Sequence, residues 1–422
     1  MKRLVSEIVD MKWSGRIAIL LGFCMPLFPK MLPILLVLLI LSAFLDYKNF
    51  RFHKEFQSMT WLFALTYLFY VFGLLSSDHI PQGLFILELK LSFLLLPLFF
   101  LFHGSFHVTS LRWIFFAFVA GCFVNTFFGF YKGYQCYLEK QWWECFFTGF
   151  VSYNFHTTYL AIYFCFSILI LIYYFINYYS RLNRWTIAVL FFLIAYFSGF
   201  VVMLSSKGGL IALGTVLFVS LMYYFYKRGN LKSAILILSA VGGLMIVIFF
   251  TSDYAKIRFT EALKIYNLDK SELYEKYRES TETTAVRLMI WDVAENIISD
   301  HPLGVGSGDS QSELMKQYEK YGMTGASNLK LNCHNQYYET TIAIGIQGLI
   351  VLIIFLMYLV ITALKKRNFL LLWIAVIIII NLFFESMFET QAGVIFFVFF
   401  TGLLLTSVPE VIPISSDENE KN

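Results

Sequence analysis

Leu331 to Arg367 reads LNCHNQYYETTIAIGIQGLIVLIIFLMYLVITALKKR. From Ile342 to Leu364 it holds 23 residues without a single charge. Lys365-Lys366-Arg367 closes this run, and a polar ledge containing His334, Asn335 and Glu339 precedes it. A helix needs about 20 mainly apolar residues to cross the hydrocarbon core of a bilayer. Basic residues at such a run's end mark the cytoplasmic side. The stretch therefore reads as a membrane span that enters from a polar, histidine-bearing outer ledge.

The same pattern recurs along all 422 residues. The chain is 59% hydrophobic and 14% charged, with a mean hydropathy of +0.69, whereas a soluble chain carries roughly 25% charged residues. Too few charges remain to coat a globule of this size. Disorder, coiled coil, collagen and small disulfide scaffolds are excluded by composition. Twelve candidate spans follow: Trp13–Phe28, Met31–Leu45, Met59–Ser76, Phe85–Phe102, Trp113–Tyr131, Tyr159–Tyr179, Trp185–Leu204, Gly208–Tyr226, Ser233–Thr251, Ile342–Leu364, Phe369–Phe384 and Gly393–Val408. The expected fold is an all-α polytopic membrane protein. No cleavage site of the Ala-x-Ala kind follows the first run, so it is read as a retained span.

With the N-terminus inside, 17 Lys and Arg residues fall in inside segments and 5 in short outside ones. The other 10 lie in one long outside loop. This bias places both termini in the cytoplasm. The expected organisation is residues 1–251 as spans one to nine, 252–341 as a large periplasmic loop, 342–408 as spans ten to twelve, and 409–422 as a cytoplasmic tail. The loop holds 24 of the 60 charges, and a connection of this length is functional rather than passive. Val286, Ile290, Val293 and Ile297 share one face of a helix over Thr284–Ser299, which His301-Pro302 stops. Ser310-x-x-Glu313 reads as a capping box opening a second helix that ends near Gly322.

Ionisable groups at the ends of apolar segments carry a functional hypothesis. Lys207, in Ser205-Ser206-Lys207-Gly208-Gly209, joins a helix N-terminus to a cation and suits an anion; it also suits a snorkelling lysine in a turn. Arg287 stands among apolar neighbours and faces either phosphate or the wet flank of its helix. His334, at the membrane surface, suits proton transfer near neutral pH or a structural hydrogen bond. His301-Pro302-Leu303-Gly304-Val305-Gly306-Ser307-Gly308 lacks the spacing and the preceding strand of a dinucleotide loop. Lys90, near the outer end of the fourth span, is a further phosphate candidate, while Glu88 beside it reaches interfacial water. Asn335 and His156 are placed as acceptor-facing or orienting residues, with a structural role the alternative for His156. Glu385 and Glu389 stand one helical turn apart and either orient an acceptor or cap a turn. Trp142-Trp143 reads as an interfacial anchor. Cys136 and Cys145 share one outer loop, and the sequence leaves their pairing open.

The ordered set Ser206-Lys207-Gly208, Arg287 with Trp291, His301-Pro302-Leu303-Gly304-Val305-Gly306, His334-Asn335 and a span opening with Gly345 and Gly348 resembles the O-antigen ligase / O-antigen polymerase superfamily. The motif block covers about Leu204 to Leu352, and the first half matches in hydropathy alone. Where the family carries an arginine, this chain has Lys207, which keeps the charge and loses the bidentate fork. The resemblance implies a GT-C-like membrane glycosyltransferase at the periplasmic face of a bacterial inner membrane. Its donor is a glycan on undecaprenyl diphosphate and its acceptor a hydroxyl of the lipid A–core. It further implies His334 as base, Arg287 and Lys207 on the diphosphate, membrane lipids as surroundings, and no nucleic acid. The donor carries its own leaving group, so no nucleotide, metal or other cofactor is implied. The rivals are a polysaccharide polymerase of the same superfamily and, from another class, a twelve-span transporter or flippase. Corresponding half-repeats and mid-span charges, the marks of transporters, are missing from the sequence.

Overall fold

The computed structural model describes residues 11–45, 51–229, 232, 264–281 and 284–405, and these are helical with no strand. Helices α1 (Trp13–Cys24) and α2 (Leu32–Leu45) form a hairpin across the single turn Pro29–Met31. After α3 (Gln57–Leu75), α4 (Ile80–Lys90) and α5 (Ser92–His103) run on as one rod with a hitch at Leu91. Next come α6 (Val108–Lys140), α7 (Thr157–Tyr178), α8 (Arg184–Leu204) and α9 (Lys207–Lys227). A polar unit holds α10 (Lys270–Tyr277), α11 (Thr284–Asp300), α12 (Ser310–Lys320) and α13 (Thr324–Asn328). The chain then returns to the bundle through α14 (Gln336–Lys365), α15 (Phe369–Leu382) and α16 (Gln391–Leu405).

Seven of these stretches are long and apolar enough to cross a membrane, and four more apolar helices are shorter. The shorter ones are the first two and last two expected spans. The expected ninth span, Ser233–Thr251, lies outside the described residues, as do most of the 409–422 tail's neighbours and the tail itself. The described segments before and after residues 233–263 meet opposite ends of the bundle. Lys227 bonds Asn177 at the foot of α7, whereas Arg287 bonds the Phe384 carbonyl at the head of α15.

Helices α7 and α16 are apolar all round, and a helix of that kind belongs in the interior. Both are buried along nearly their whole length. Phe118, Phe166, Phe396 and Phe400 interlock between α6, α7 and α16 with ring centres 4.7–6.0 Å apart. α6 has 33 residues, about 50 Å at 1.5 Å per residue, against a hydrocarbon core of about 30 Å. Its last turns therefore stand clear of the core, and there Cys136 and Cys145 are joined by a disulfide.

The segments expected on the outer side meet at one end of the bundle, called the upper end below. The polar unit packs over that end with its own small core, in which Val286, Ile290, Val293 and Ile297 of α11 are buried as their spacing predicts. Two local expectations change. Asp309, not Ser310, is the N-cap of α12, so the Ser310–Glu313 capping box does not form. The Asp309 carboxylate instead accepts from the backbone of Asp78 and His79, at 2.7 and 3.1 Å, and tethers α12 to the turn after α3. The tenth span also opens earlier, at Gln336, and contains a break.

At that break Ile344 and Gly345 leave helical geometry, with Gly345 at φ +75°. The carbonyls of Ile342 and Ala343 consequently lose their helical donors. Val305 and Gly306 donate to them instead, at 2.8 and 3.2 Å, while the freed Ile346 amide donates to the Pro302 carbonyl at 3.0 Å. Backbone groups left unmet at such a depth cost several kcal/mol each. The glycine-rich segment after His301 is thus the complement of a broken helix. Gly304 sits at φ +91°, and a Cβ there would meet the Gly345 amide nitrogen at 2.6 Å. Gly304→Val should cost at least about 1–3 kcal/mol and lower Tm in detergent by several degrees. Gly214→Ala, at a helix position with open space, should leave Tm unchanged or slightly higher.

Candidate active site

Three helices bring their first turns to one cleft of about 150 Å³ at the upper end, and His334, ahead of a fourth, joins them. α7 contributes Thr157 and Thr158, with His156 just ahead of them; α9 contributes Lys207 and Gly208 behind Ser206. α11 contributes Val286 and Arg287 from its first turn, and His334 lies two residues before α14. Each helix N-terminus carries a partial charge of about +0.5. The convergence makes the cleft anion-attracting although the polar unit around it is acidic.

The caps hold these ends in place. Ser206 Oγ accepts from the Gly209 amide at 3.2 Å and donates to Thr158 at 3.0 Å, joining α9 to α7. Lys207 Nζ donates to Thr284 Oγ1 at 2.5 Å, joining α9 to α11. Arg287 is half-buried and donates to the Phe384 carbonyl at 2.8 Å. Both cations line the cleft.

His334 has φ +46°, a left-handed conformation that costs a non-glycine residue energy and persists only under strong local constraint. Four hydrogen bonds supply that constraint. The His334 amide donates to Asn332 Oδ1 at 3.0 Å, and Trp291 Nε1 to the Cys333 carbonyl at 3.0 Å. The Cys333 amide donates to Glu339 at 3.0 Å and the Asn335 amide to Ser386 Oγ at 3.2 Å.

Behind the imidazole stands Glu385, whose side chain is 5% exposed. Its Oε1 lies 3.5 Å from His334 Nδ1, and its Oε2 lies 3.3 Å from His156 Nδ1. The first approach is longer than an ordinary hydrogen bond, and His334 Nδ1 has no closer partner among the described residues. Burial pushes the Glu385 carboxyl up, but the bond from His334 and the charges of His156, His334 and Arg287 outweigh it. They hold the group below its ordinary value. One carboxylate therefore sits between two imidazoles. The spacing to Glu389 hid this arrangement, because α15 ends at Leu382 and the two glutamates part company.

One expectation, that for Lys90, is corrected here. Lys90 is fully buried and does not line the cleft. Its Nζ donates to Glu389 Oε1 and to the Phe388 carbonyl, both at 2.8 Å, and lies 4.5 Å from the Tyr70 ring centre. It braces the turn that carries Glu385 rather than meeting a phosphate, while Glu88 is exposed as expected. Asn335 is buried as the N-cap of α14, accepting from the amides of Tyr337 and Tyr338 at 3.0 and 3.3 Å. These cap bonds suit the orienting one of the two roles expected for it. His156, by contrast, does line the cleft.

The fold and site define a polytopic helical membrane protein with a cationic, histidine-bearing cleft roofed by one long polar insertion. Residues 191–353 match the family model described as O-antigen ligase. No curated protein matches the chain. The matched segment contains Lys207, Arg287 and His334, while His156 and Glu385 are brought to the cleft from outside it.

Glu385→Gln keeps the shape and removes the charge. Stability from an ionised carboxylate with a depressed pKa is present above its ordinary value of 4.5 and lost as pH falls through the lower folded value. The Tm difference between wild type and Glu385→Gln should be open at neutral pH and close below about pH 4.5.

Proposed function

We propose that the protein is a membrane glycosyltransferase of O-antigen ligase type. It moves a glycan from undecaprenyl diphosphate to a hydroxyl of the lipid A–core saccharide at the periplasmic face of the bacterial inner membrane. The observation that carries this reading is His334, held in a strained conformation between Glu385 and a cleft that Lys207 and Arg287 share. The charge bias of the short loops supports a cytoplasmic location for both termini and a periplasmic one for the upper end.

In this reading the acceptor hydroxyl lies against His334. Nδ1 faces Glu385, so Nε2 on the far side of the ring takes the hydroxyl proton. Glu385 steadies the imidazolium that forms, as a carboxylate does behind a catalytic histidine. The acceptor oxygen attacks the anomeric carbon, and the bond from that carbon to the diphosphate oxygen breaks. The leaving diphosphate carries away the bonding electrons. Arg287, Lys207 and the helix N-termini stabilise its growing charge, which is the usual dominant contribution to such catalysis. A single displacement inverts the anomeric centre. The leaving group is already activated, so the step needs no nucleotide.

Purified protein, lipid-linked glycan and lipopolysaccharide lacking the glycan test the proposal directly. Wild type should join the two without ATP, and His334→Ala should lose about 10²–10⁴-fold in kcat while remaining folded and inserted. Full transfer by His334→Ala would sink the assignment. Arg287→Lys keeps the charge but loses the fork, and it should raise KM for the donor more than it lowers kcat. Offering a second lipid-linked repeat as acceptor separates the ligase from a polymerase. Product with that acceptor alone would give the polymerase reading.

A further inference from the structure

Two histidines line the cleft, and the transfer described above uses only His334. The other, His156, stands at the N-cap position of α7, yet its side chain makes no capping hydrogen bond. Its Nδ1 lies 3.3 Å from Glu385 Oε2, while His334 Nδ1 lies 3.5 Å from Oε1 of the same carboxylate. The two ring centres are 6.4 Å apart. With each Nδ1 turned to Glu385, each Nε2 lies on the far side of its ring and is left for chemistry in the cleft.

One carboxylate balances one imidazolium well and two poorly, because the second cation is repelled by the first. Arg287 from α11 and Lys207 from α9 add positive charge to the same cleft. Tyr159 of α7 lies against His156 but donates its hydroxyl to the Ser386 carbonyl. The described groups around Glu385 therefore favour a single proton shared by the two rings. His156 is the better holder of it. Its side chain is 45% exposed against 17% for His334, so water reaches it and charging it is less costly. The α7 dipole opposes a cation at this end, which leaves Glu385 as the group that keeps the proton there.

We propose that His156 is the acid partner of His334 and gives its proton to the leaving diphosphate. The inference rests on reading the cleft as a glycosyl diphosphate site. His156 adjoins the first turns of α7 and α9, joined by the Thr158–Ser206 bond, where the helix ends draw an anion. As the acceptor oxygen bonds the anomeric carbon, His334 Nε2 takes the hydroxyl proton. The bond from that carbon to the diphosphate oxygen breaks and its electron pair stays with the oxygen. The His156 Nε2 proton passes to the diphosphate, which as a phosphate monoester takes up its last proton at about pH 6. One imidazolium faces Glu385 before the step and one after it, so the carboxylate changes partner while the charge of the cleft stays constant. A proton moving from His334 to His156 through water resets the pair, and the diphosphate departs with the other.

The test follows kcat/KM against pH for the full-length chain in nanodiscs, with lipid-linked glycan and lipopolysaccharide lacking the glycan. Wild type should give a bell, its acid limb set by the base and its alkaline limb by the acid. His156→Ala should lose about 10²-fold in kcat and flatten the alkaline limb. Imidazole in the buffer should restore part of that loss in proportion to the imidazolium present, and should leave the wild-type rate unchanged. His156→Gln keeps a hydrogen bond to Glu385 but has no proton to release; it should show the same flattened limb, and it decides the matter if His156→Ala fails to fold. Ring carbon-13 signals of the histidines, assigned by His156→Gln and His334→Ala, should show His156 protonated before His334 as pH falls. Glu385→Gln should move both protonations to lower pH. An unchanged alkaline limb in the His156 variants, or His334 protonated first, would overturn the proposal and leave the transferase reading in place. No transfer by wild type to any acceptor would remove that reading and the acid role with it, whatever order the ring signals show.

Discussion

Everything at the upper end depends on the interruption of α14. Ile344 and Gly345 leave the helix, and two carbonyls and an amide then need partners where water is scarce. Residues 302–306 supply them, and Ser307 and Gly308 continue the stitching onto α3 through the Gly73 carbonyl and Ser77 Oγ. The polar unit is thereby docked at a fixed height and angle. Arg287 hangs from α11 on one side of this seam, and His334 precedes α14 on the other. The backbone exchange joins the broken span to its insertion.

A second layer of order comes from the turn that carries Glu385. Gln336 accepts from the Phe388 amide at 2.6 Å and donates to Glu389 at 3.1 Å, while Tyr159 donates to the Ser386 carbonyl at 3.0 Å. Fully buried Lys90 and part-exposed Glu389 complete this lattice as an ion pair. Burying the Lys90 charge is costly, and Glu389 offsets that cost. The pair therefore contributes placement more than net stability. It anchors the turn to α4, so that the carboxylate behind His334 is set by a residue far away in the chain.

Much of the architecture was legible in the residues. Charge-free runs of sufficient length mark spans whatever their neighbours, and the apolar face of α11 follows from its own periodicity. Lys207, Arg287 and His334 stood out because a polar group beside an apolar run is anomalous on local evidence alone. What was hidden depends on partners distant in sequence. Lys90 looked like a free cation because Glu389 lies 299 positions on. Glu385 looked like half of a helical pair because nothing nearby announces that α15 ends at Leu382. Asn335 is a helix cap, but the helix it caps starts above the apolar run and so before the span visible to hydropathy. The capping box failed for a related reason: Asp309 occupies the cap position while its carboxylate is engaged by the turn after α3.

The helix ends around the cleft have a consequence of their own. Their charge belongs to peptide groups, which have no pKa, no rotamer and no side chain to lose. Salt weakens such a field, but protonation does not reach it, and exchanging lysine for arginine at 207 changes the fork without changing the sign. A site built this way keeps its preference for anions wherever the helices themselves persist. Drift among its side chains can then alter which anion is favoured long before it alters the preference itself.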